Sequence, residues 1–259
     1  MNPLEKFRAD VKTNIKRMAE DADLHALSRI WSKYSGDYNY TYNFSWLGMP
    51  IIQLPQDIVA MQELIWRVNP DLVIETGIAH GGSLVMTASV LALLDFGDAV
   101  TGGQTLDPAK PKRRVLGIDI DIRAHNRAAI EAHPLANRID MIQGSSIDPA
   151  VIAQANDLAR DRRTVLVCLD SDHTHNHVLG ELKAYGKLVT PGSYCVVFDT
   201  LIEDRVAGFF LNRPWDKGNN PKTAVWEYLK THPEFEIDKE IENKLLITAA
   251  PDGYLKRVS

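Results

Sequence analysis

The chain has 259 residues, 45% of them hydrophobic and 24% charged, with a formal net charge of −5. Such values describe an ordinary globular chain long enough to bury a sizeable core. They argue against a general nucleic-acid binder, which would carry a basic footprint, and no apolar run is expected to reach the ~20 residues of a bilayer span. The start, MNPLEKFRADVKTNIKRMAEDAD, is charged throughout and unlike a secretory leader. With only two cysteines, Cys168 and Cys195, both in apolar runs that suit buried small residues, the cytoplasm is the expected location.

In chain order, the spacing of Leu4, Phe7, Val11, Ile15 and Met18 predicts an amphipathic helix over 4–22, and a second short helix is expected over 24–34. The segment Tyr38-Asn-Tyr-Thr-Tyr-Asn-Phe-Ser-Trp46 reads as an extended loop or hairpin whose aromatics suit the wall of a pocket for a mixed polar and apolar ligand. A helix over 55–68 leads to a first strand at 72–75. From there strands at 115–119, 139–143, 165–169 and 194–198 alternate with helices at 83–94, 122–131, 149–160 and 177–188. That alternation predicts an α/β fold with a doubly wound, mostly parallel sheet. The stretch 95–114 reads as a long loop with a basic tail. A helix at 221–230 and strands near 235–237 and 244–248 complete the chain, with Pro251-Asp-Gly253 as a turn. No composition shift marks a boundary, so a single domain over 1–259 is expected, with 1–50 as a helical and aromatic extension on a 51–259 core.

Chemistry gathers at the predicted strand ends, where open α/β sheets bind ligands. The first strand runs into Glu75-Thr-Gly77-Ile-Ala-His-Gly81-Gly-Ser83, a glycine turn at a helix start whose free N–H groups favour a polar or anionic ligand. It lacks the second close glycine of the dinucleotide fingerprint G-x-G-x-x-G, which favours another adenosine-bearing cofactor. Its E-x-G-x-x-x-G form matches the first motif of S-adenosylmethionine-dependent methyltransferases. The second strand ends in Asp119-Ile-Asp121, carboxylates able to accept from ribose hydroxyls. Gly144, Ser145 and Ser146 follow the third strand and suit an adenine edge. After the fourth comes Asp170-Ser-Asp-His173-Thr-His175-Asn-His177, and Asp199 closes the fifth. Asp170 and Asp199 form a candidate oxygen site for Mg²⁺, and His173 is the candidate general base for a hydroxyl nucleophile. Zinc ranks lower because no second ligand set accompanies the histidines. His175 and His177 read as surface residues, and Asp172 as a cap.

At these residues the chain resembles the cephalosporin hydroxylase family, a branch of class I methyltransferases with sugar O-methyltransferase relatives. The resemblance is carried by Val73–Ser83, Gly144-Ser-Ser-Ile-Asp148, Leu169-Asp-Ser-Asp-His173, Leu188-Val-Thr-Pro-Gly-Ser193 and Pro251-Asp-Gly-Tyr-Leu255, spread over roughly residues 40–257. It implies a Rossmann-like methyltransferase fold, S-adenosylmethionine and often Mg²⁺. It also implies methyl transfer to a hydroxyl of a sugar or glycosylated small molecule, and frequent homo-oligomers. In related macrolide-sugar methyltransferases the metal carboxylates come from the aspartate three before the motif histidine and from a Glu-Asp pair after the fifth strand. Carried over, these are Asp170 and Asp199, with His173 as base, but Phe198 stands where the pair has its glutamate. The family name offers an alternative, an oxygenase or its partner subunit, which would need an oxidising centre; a cofactor-binding protein without chemistry is a further one.

Overall fold

The computed structural model describes residues 2–259. Helix α1 (Pro3–Glu20) starts in a capping box: the Asn2 side chain accepts from the Glu5 N–H at 2.8 Å, and Glu5 accepts from the Asn2 N–H at 2.9 Å. Helix α2 (Ala22–Gly36) follows. The aromatic segment then folds into a 3-10 turn (Tyr40–Asn43) and a small hairpin of β1 (Phe44–Trp46) and β2 (Met49–Ile51). Edge-on contacts of Trp31 with Tyr40, and of Tyr40 with Phe44, hold this extension together.

The core alternates as expected: α3 (Pro55–Val68), β3 (Leu72–Thr76), α4 (Gly82–Gly102), β4 (Arg114–Asp119), α5 (Ala124–Glu131), β5 (Ile139–Gln143), α6 (Pro149–Ala159), β6 (Val165–Leu169), α7 (His175–Tyr185) and β7 (Tyr194–Val197). Helix α8 (Pro221–Leu229), β8 (Phe235–Ile237), α9 (Lys239–Leu245) and β9 (Tyr254–Arg257) close the chain. One seven-stranded sheet has the order β5-β4-β3-β6-β7-β9-β8. Its pairings from β5 to β7 are parallel and those involving β9 antiparallel. Side chains alternate across each strand. Val73 and Leu166 therefore meet one helical layer, with Leu64, Leu91 and Ile130, while Leu72 and Ile74 meet the other, with Ala155, Leu182 and Val225. Each such burial stabilises the fold by about 1.5–3 kcal/mol. Cys168 and Cys195 are free and buried in these layers.

Three expectations needed correction. Helix α4 does not stop at 94 but continues through Gly97 to Gly102. Buried Asp95 explains it, receiving Arg113 Nη1 and Arg138 Nη1, each at 2.5 Å. Arg113 of the predicted basic tail is therefore an internal clamp, because a buried charge must be paired, while Lys110 and Lys112 are exposed. At 21 residues α4 is, by length and composition, long and apolar enough to cross a membrane, although more than half of it is buried inside the fold. The strand expected at 244–248 is instead the last two residues of α9 followed by an irregular stretch; Asp238 caps the start of that helix, its side chain accepting from the Glu240 N–H at 3.1 Å. The sheet's last pairing partner is β9, directly after the 251–253 turn.

Candidate active site

A cavity of about 780 Å³ opens over the carboxyl ends of the parallel strands. Along one side runs the glycine turn between β3 and α4. Gly77 has φ +87°, and a Cβ there would lie 2.0 Å from the carbonyl oxygen of Asp170. Only glycine lets these two strand ends approach so closely. Asp119 joins the turn to the next strand: its Oδ2 accepts from the N–H of Ile78 at 2.8 Å and of Ala79 at 3.4 Å, and its Oδ1 accepts from the Asp121 N–H at 3.0 Å.

Of the residues singled out in the sequence, Gly77, Ser83, Asp119, Ser145, Ser146, Asp170, His173 and Asp199 all line this one cavity. Four others do not. Glu75 lies behind the wall, 5% exposed, where it accepts a hydrogen bond from Ser83 Oγ. Burial pushes its carboxyl up to about 7, against the pull of that hydroxyl. Gly81 faces the Ile130 side chain, and Gly144 packs on Val151. Asp121 points to solvent, 4.0 Å from Arg123.

The acid and imidazole cluster forms where β6 and β7 end. Ligand atoms of Asp170, His173 and Asp199 lie within 4.8 Å of one another. His173 Nε2 is 3.0 Å from Asp199 Oδ2. Burial disfavours charge on the imidazole, but Asp199, then Asp170 and Asp172, outweigh it and raise its pKa to about 9. Asp170 is driven well above the usual carboxylate range by burial and by the Asp199 charge, whereas Asp199, despite burial, is held low by His173. Asp199 also sits in the left-handed region, φ +53°, a conformation that clusters at functional sites. The three groups therefore pull against one another: burial and Asp199 favour the neutral form of Asp170, while the Asp199 carboxylate favours the charged form of His173.

The rest of the histidine run divides. His175 is structural, its Nδ1 2.8 Å from Thr223 Oγ1 and its Nε2 3.1 Å from Glu227. His177, read as a surface residue, instead lines the cavity, with Nε2 2.9 Å from Ser146 Oγ. Ser146 and Ser171 both donate to Glu181 Oε1, at 2.5 and 2.6 Å. Glu181 is fully buried on α7, four residues beyond His177, so one helical turn sets this network. Asp172 does cap, accepting from the Thr174 N–H at 2.8 Å.

Tyr40, Tyr42, Phe198, Phe209, Phe210 and Trp215 add aromatic rings to the cavity lining, with Arg205 among them. The Trp215 ring meets the His173 ring edge-on, with centroids 4.7 Å apart. Trp46 is not part of it; its Nε1 donates to Ser89 Oγ at 3.0 Å. Neither loop acid after β7 replaces the missing glutamate at 198. Glu203 accepts from the Gly218 N–H and Asn220 Nδ2, and Asp204 pairs with Lys222. Arg205, Phe209 and Phe210 were invisible in the sequence because their 201–220 segment has no periodicity to place it.

The family described as rhamnosyl O-methyltransferase/CmcI matches residues 38–258. The chain belongs to this family. A rhamnosyl O-methyltransferase of Mycobacterium tuberculosis is 31% identical over 229 residues, covering 86% of this chain and 82% of that one. Its counterpart in Mycobacterium leprae is 29% identical over 225 residues, covering 85% and 86%. Among solved structures, a CmcI structure described as the Mg-SAM form is 19% identical with a TM-score of 0.52, covering 84% of this chain and 78% of the other. That likeness shows the rhamnosyl O-methyltransferase/CmcI chain to have the fold of the CmcI structures. The first 37 residues, which hold α1 and α2, lie outside the family match.

Proposed function

We propose that this protein is an S-adenosylmethionine-dependent O-methyltransferase acting on a hydroxyl of a sugar or glycosylated small molecule. One observation carries the reading. A single cavity joins a glycine turn stitched by Asp119 to a cluster of Asp170, His173 and Asp199, and aromatic rings share its lining. The first part suits a nucleoside cofactor, the second an oxygen nucleophile, and the rings suit the C–H faces of a sugar. Family membership and the activity of the mycobacterial relatives, rhamnosyl O-methyltransferases, support the same conclusion.

In this reading Gly77, Ser83, Asp119, Ser145 and Ser146 hold the cofactor. Glu75 acts from behind, through Ser83. Asp170 and Asp199 fit a divalent cation, because their carboxylate oxygens converge at the ends of β6 and β7 and the charge of each disfavours ionisation of the other unless a cation is shared. Two carboxylates are the oxygen donors of a hard cation, and a single histidine beside them does not make the two-histidine triad of iron oxygenases. Mg²⁺ bound there would supply positive charge that favours the ionised form of an acceptor hydroxyl. With Asp199 engaged, the chief cause of the raised His173 pKa is removed. The imidazole would then be free to take the acceptor hydroxyl's proton, while S-adenosylmethionine, when bound, would supply the methyl group and leave as S-adenosylhomocysteine.

The same reading keeps residues 1–50 as an extension on a 51–259 core, in a cytoplasmic protein that self-associates through exposed apolar residues such as Leu4 and Phe7. The test is mass spectrometry of candidate glycosides incubated with protein and S-adenosylmethionine, with and without a chelator. A methyl gain lost on chelation is expected. Failure to bind S-adenosylmethionine in calorimetry would sink the reading. Stoichiometric iron with oxygen uptake would do the same in favour of an oxygenase.

A further inference from the structure

Arg205 follows the 3-10 turn Thr200–Asp204 and lines the cavity on its aromatic side. Among the described residues only its Nη2 is engaged, donating to the Ser32 carbonyl at 3.2 Å and to Ser32 Oγ at 2.8 Å. Its Nε is buried without a partner. The acids close to it are committed elsewhere: Asp204 to Lys222 Nζ at 2.7 Å and Asp199 to His173 at 3.0 Å. Asp216, in the same loop, accepts from the Gly208 N–H at 2.6 Å. The guanidinium instead lies 5.4 Å from the Phe209 ring centre, and Arg213, nearby in the chain, lies 5.2 Å from that of Trp215. A half-buried cation with no carboxylate of its own is costly unless a ligand supplies the anion.

We propose that Arg205 anchors an anionic group on the acceptor, a phosphate or a carboxylate, and thereby makes the preferred acceptor a charged sugar rather than a neutral glycoside. This rests on the methyltransferase reading and specifies its substrate class. The planar guanidinium suits either oxyanion. The aromatic rings beside it serve the sugar, whose hydroxyl then faces Asp170, His173 and Asp199. The cofactor's own carboxylate is a poorer match. Arg205 lies beyond the end of β7, and β6 stands between β7 and the glycine turn of β3.

The experiment compares wild type, Arg205→Gln and Arg205→Lys at saturating S-adenosylmethionine. Three acceptors sharing one sugar configuration are used: a methyl glycoside, a sugar nucleoside diphosphate and a uronic acid glycoside. Wild type should prefer one of the charged acceptors in kcat/KM, and which of the two identifies phosphate or carboxylate. Arg205→Gln should reduce that preference by about 10- to 100-fold, mainly through KM, and Arg205→Lys should keep part of it. Thermal melting checks the fold, and the lysine variant decides if the glutamine variant melts early. Equal use of neutral and charged acceptors by wild type overturns the inference. So does an equal loss on all three acceptors, or a loss of cofactor affinity in Arg205→Gln. If no acceptor is methylated, the functional reading fails separately. Calorimetric binding of the nucleoside diphosphate sugar then decides: binding by wild type that Arg205→Gln loses upholds the anion site, and no difference rejects it.

Discussion

The two halves of the cavity are built differently. On the side of β3, β4 and β5 the wall is largely backbone. Gly77 lies against the Asp170 carbonyl, and Asp119 spends its carboxylate on the N–H groups of Ile78, Ala79 and Asp121. On the side of β6 and β7 the wall is side chain: charged groups at the strand ends, with Phe209, Phe210 and Trp215 carried by an irregular loop. A backbone wall suits a ligand that never changes. A side-chain wall can be refitted to a new acceptor without disturbing the sheet, as binding loops on rigid scaffolds generally are.

The sharpest way to break this division is Asp170→Asn. Removing one carboxylate charge from the cluster should cut methyl transfer by about 10²- to 10⁴-fold. Cofactor affinity should change little, because Asp170's part in the glycine turn is through its main chain. Single-turnover transfer and calorimetry measure the two separately. A variant that turns over normally would remove Asp170 from the chemistry. One that loses the cofactor would deny that the halves are separable.

The next effect concerns stability on the backbone side. Burial raises Glu75 from 4.5 to about 7. A carboxyl whose pKa is higher in the folded state stabilises the fold fully below about 4.5, and that contribution is lost as pH rises through about 7. Wild type should thus lose on the order of 3 kcal/mol across this window. Glu75→Gln, neutral at every pH, should not. Urea unfolding near pH 5 and near pH 8 gives the comparison, and parallel pH profiles for the two proteins would place the Glu75 charge in water. Smaller again is Asp119→Asn, which weakens the acceptor for the Ile78 N–H and should loosen cofactor binding about 10-fold. Acceptor KM should hold, and a change confined to acceptor KM would put Asp119 in the wrong half.

The sequence made the backbone half easier to read than the side-chain half, for a physical reason. Strand–turn–helix with glycine is a local pattern, so β3, β5, β6 and the turn at Gly77 are visible from periodicity and residue type. Which face of a turn a residue takes is not local. Glu75, Gly81, Asp121 and Gly144, expected at the cofactor, are placed near the cavity but not in its lining. The length of α4 was hidden because the pairing that stabilises it joins Asp95 to Arg113 and Arg138, far along the chain. Asp170, His173 and Asp199 were legible because chemically distinctive residues fell at two predicted strand ends. His177 was missed because its partners, Ser146 and Glu181, come from a different loop and a buried helix face.

The finest test falls on the boundary between the halves. Trp215 touches both the loop wall and the His173 imidazole. If its role is to seat the sugar, Trp215→Ala removes one aromatic face, worth about 0.5–1.5 kcal/mol, and acceptor KM rises about 2- to 10-fold with little change in kcat. If its role is to hold His173 against Asp199, the loss appears instead in kcat and in the pH at which His173 titrates, followed by NMR. The first outcome keeps the aromatic wall a module for acceptor choice. The second would merge it with the acid cluster, and the side-chain half would be one catalytic unit rather than a replaceable surface.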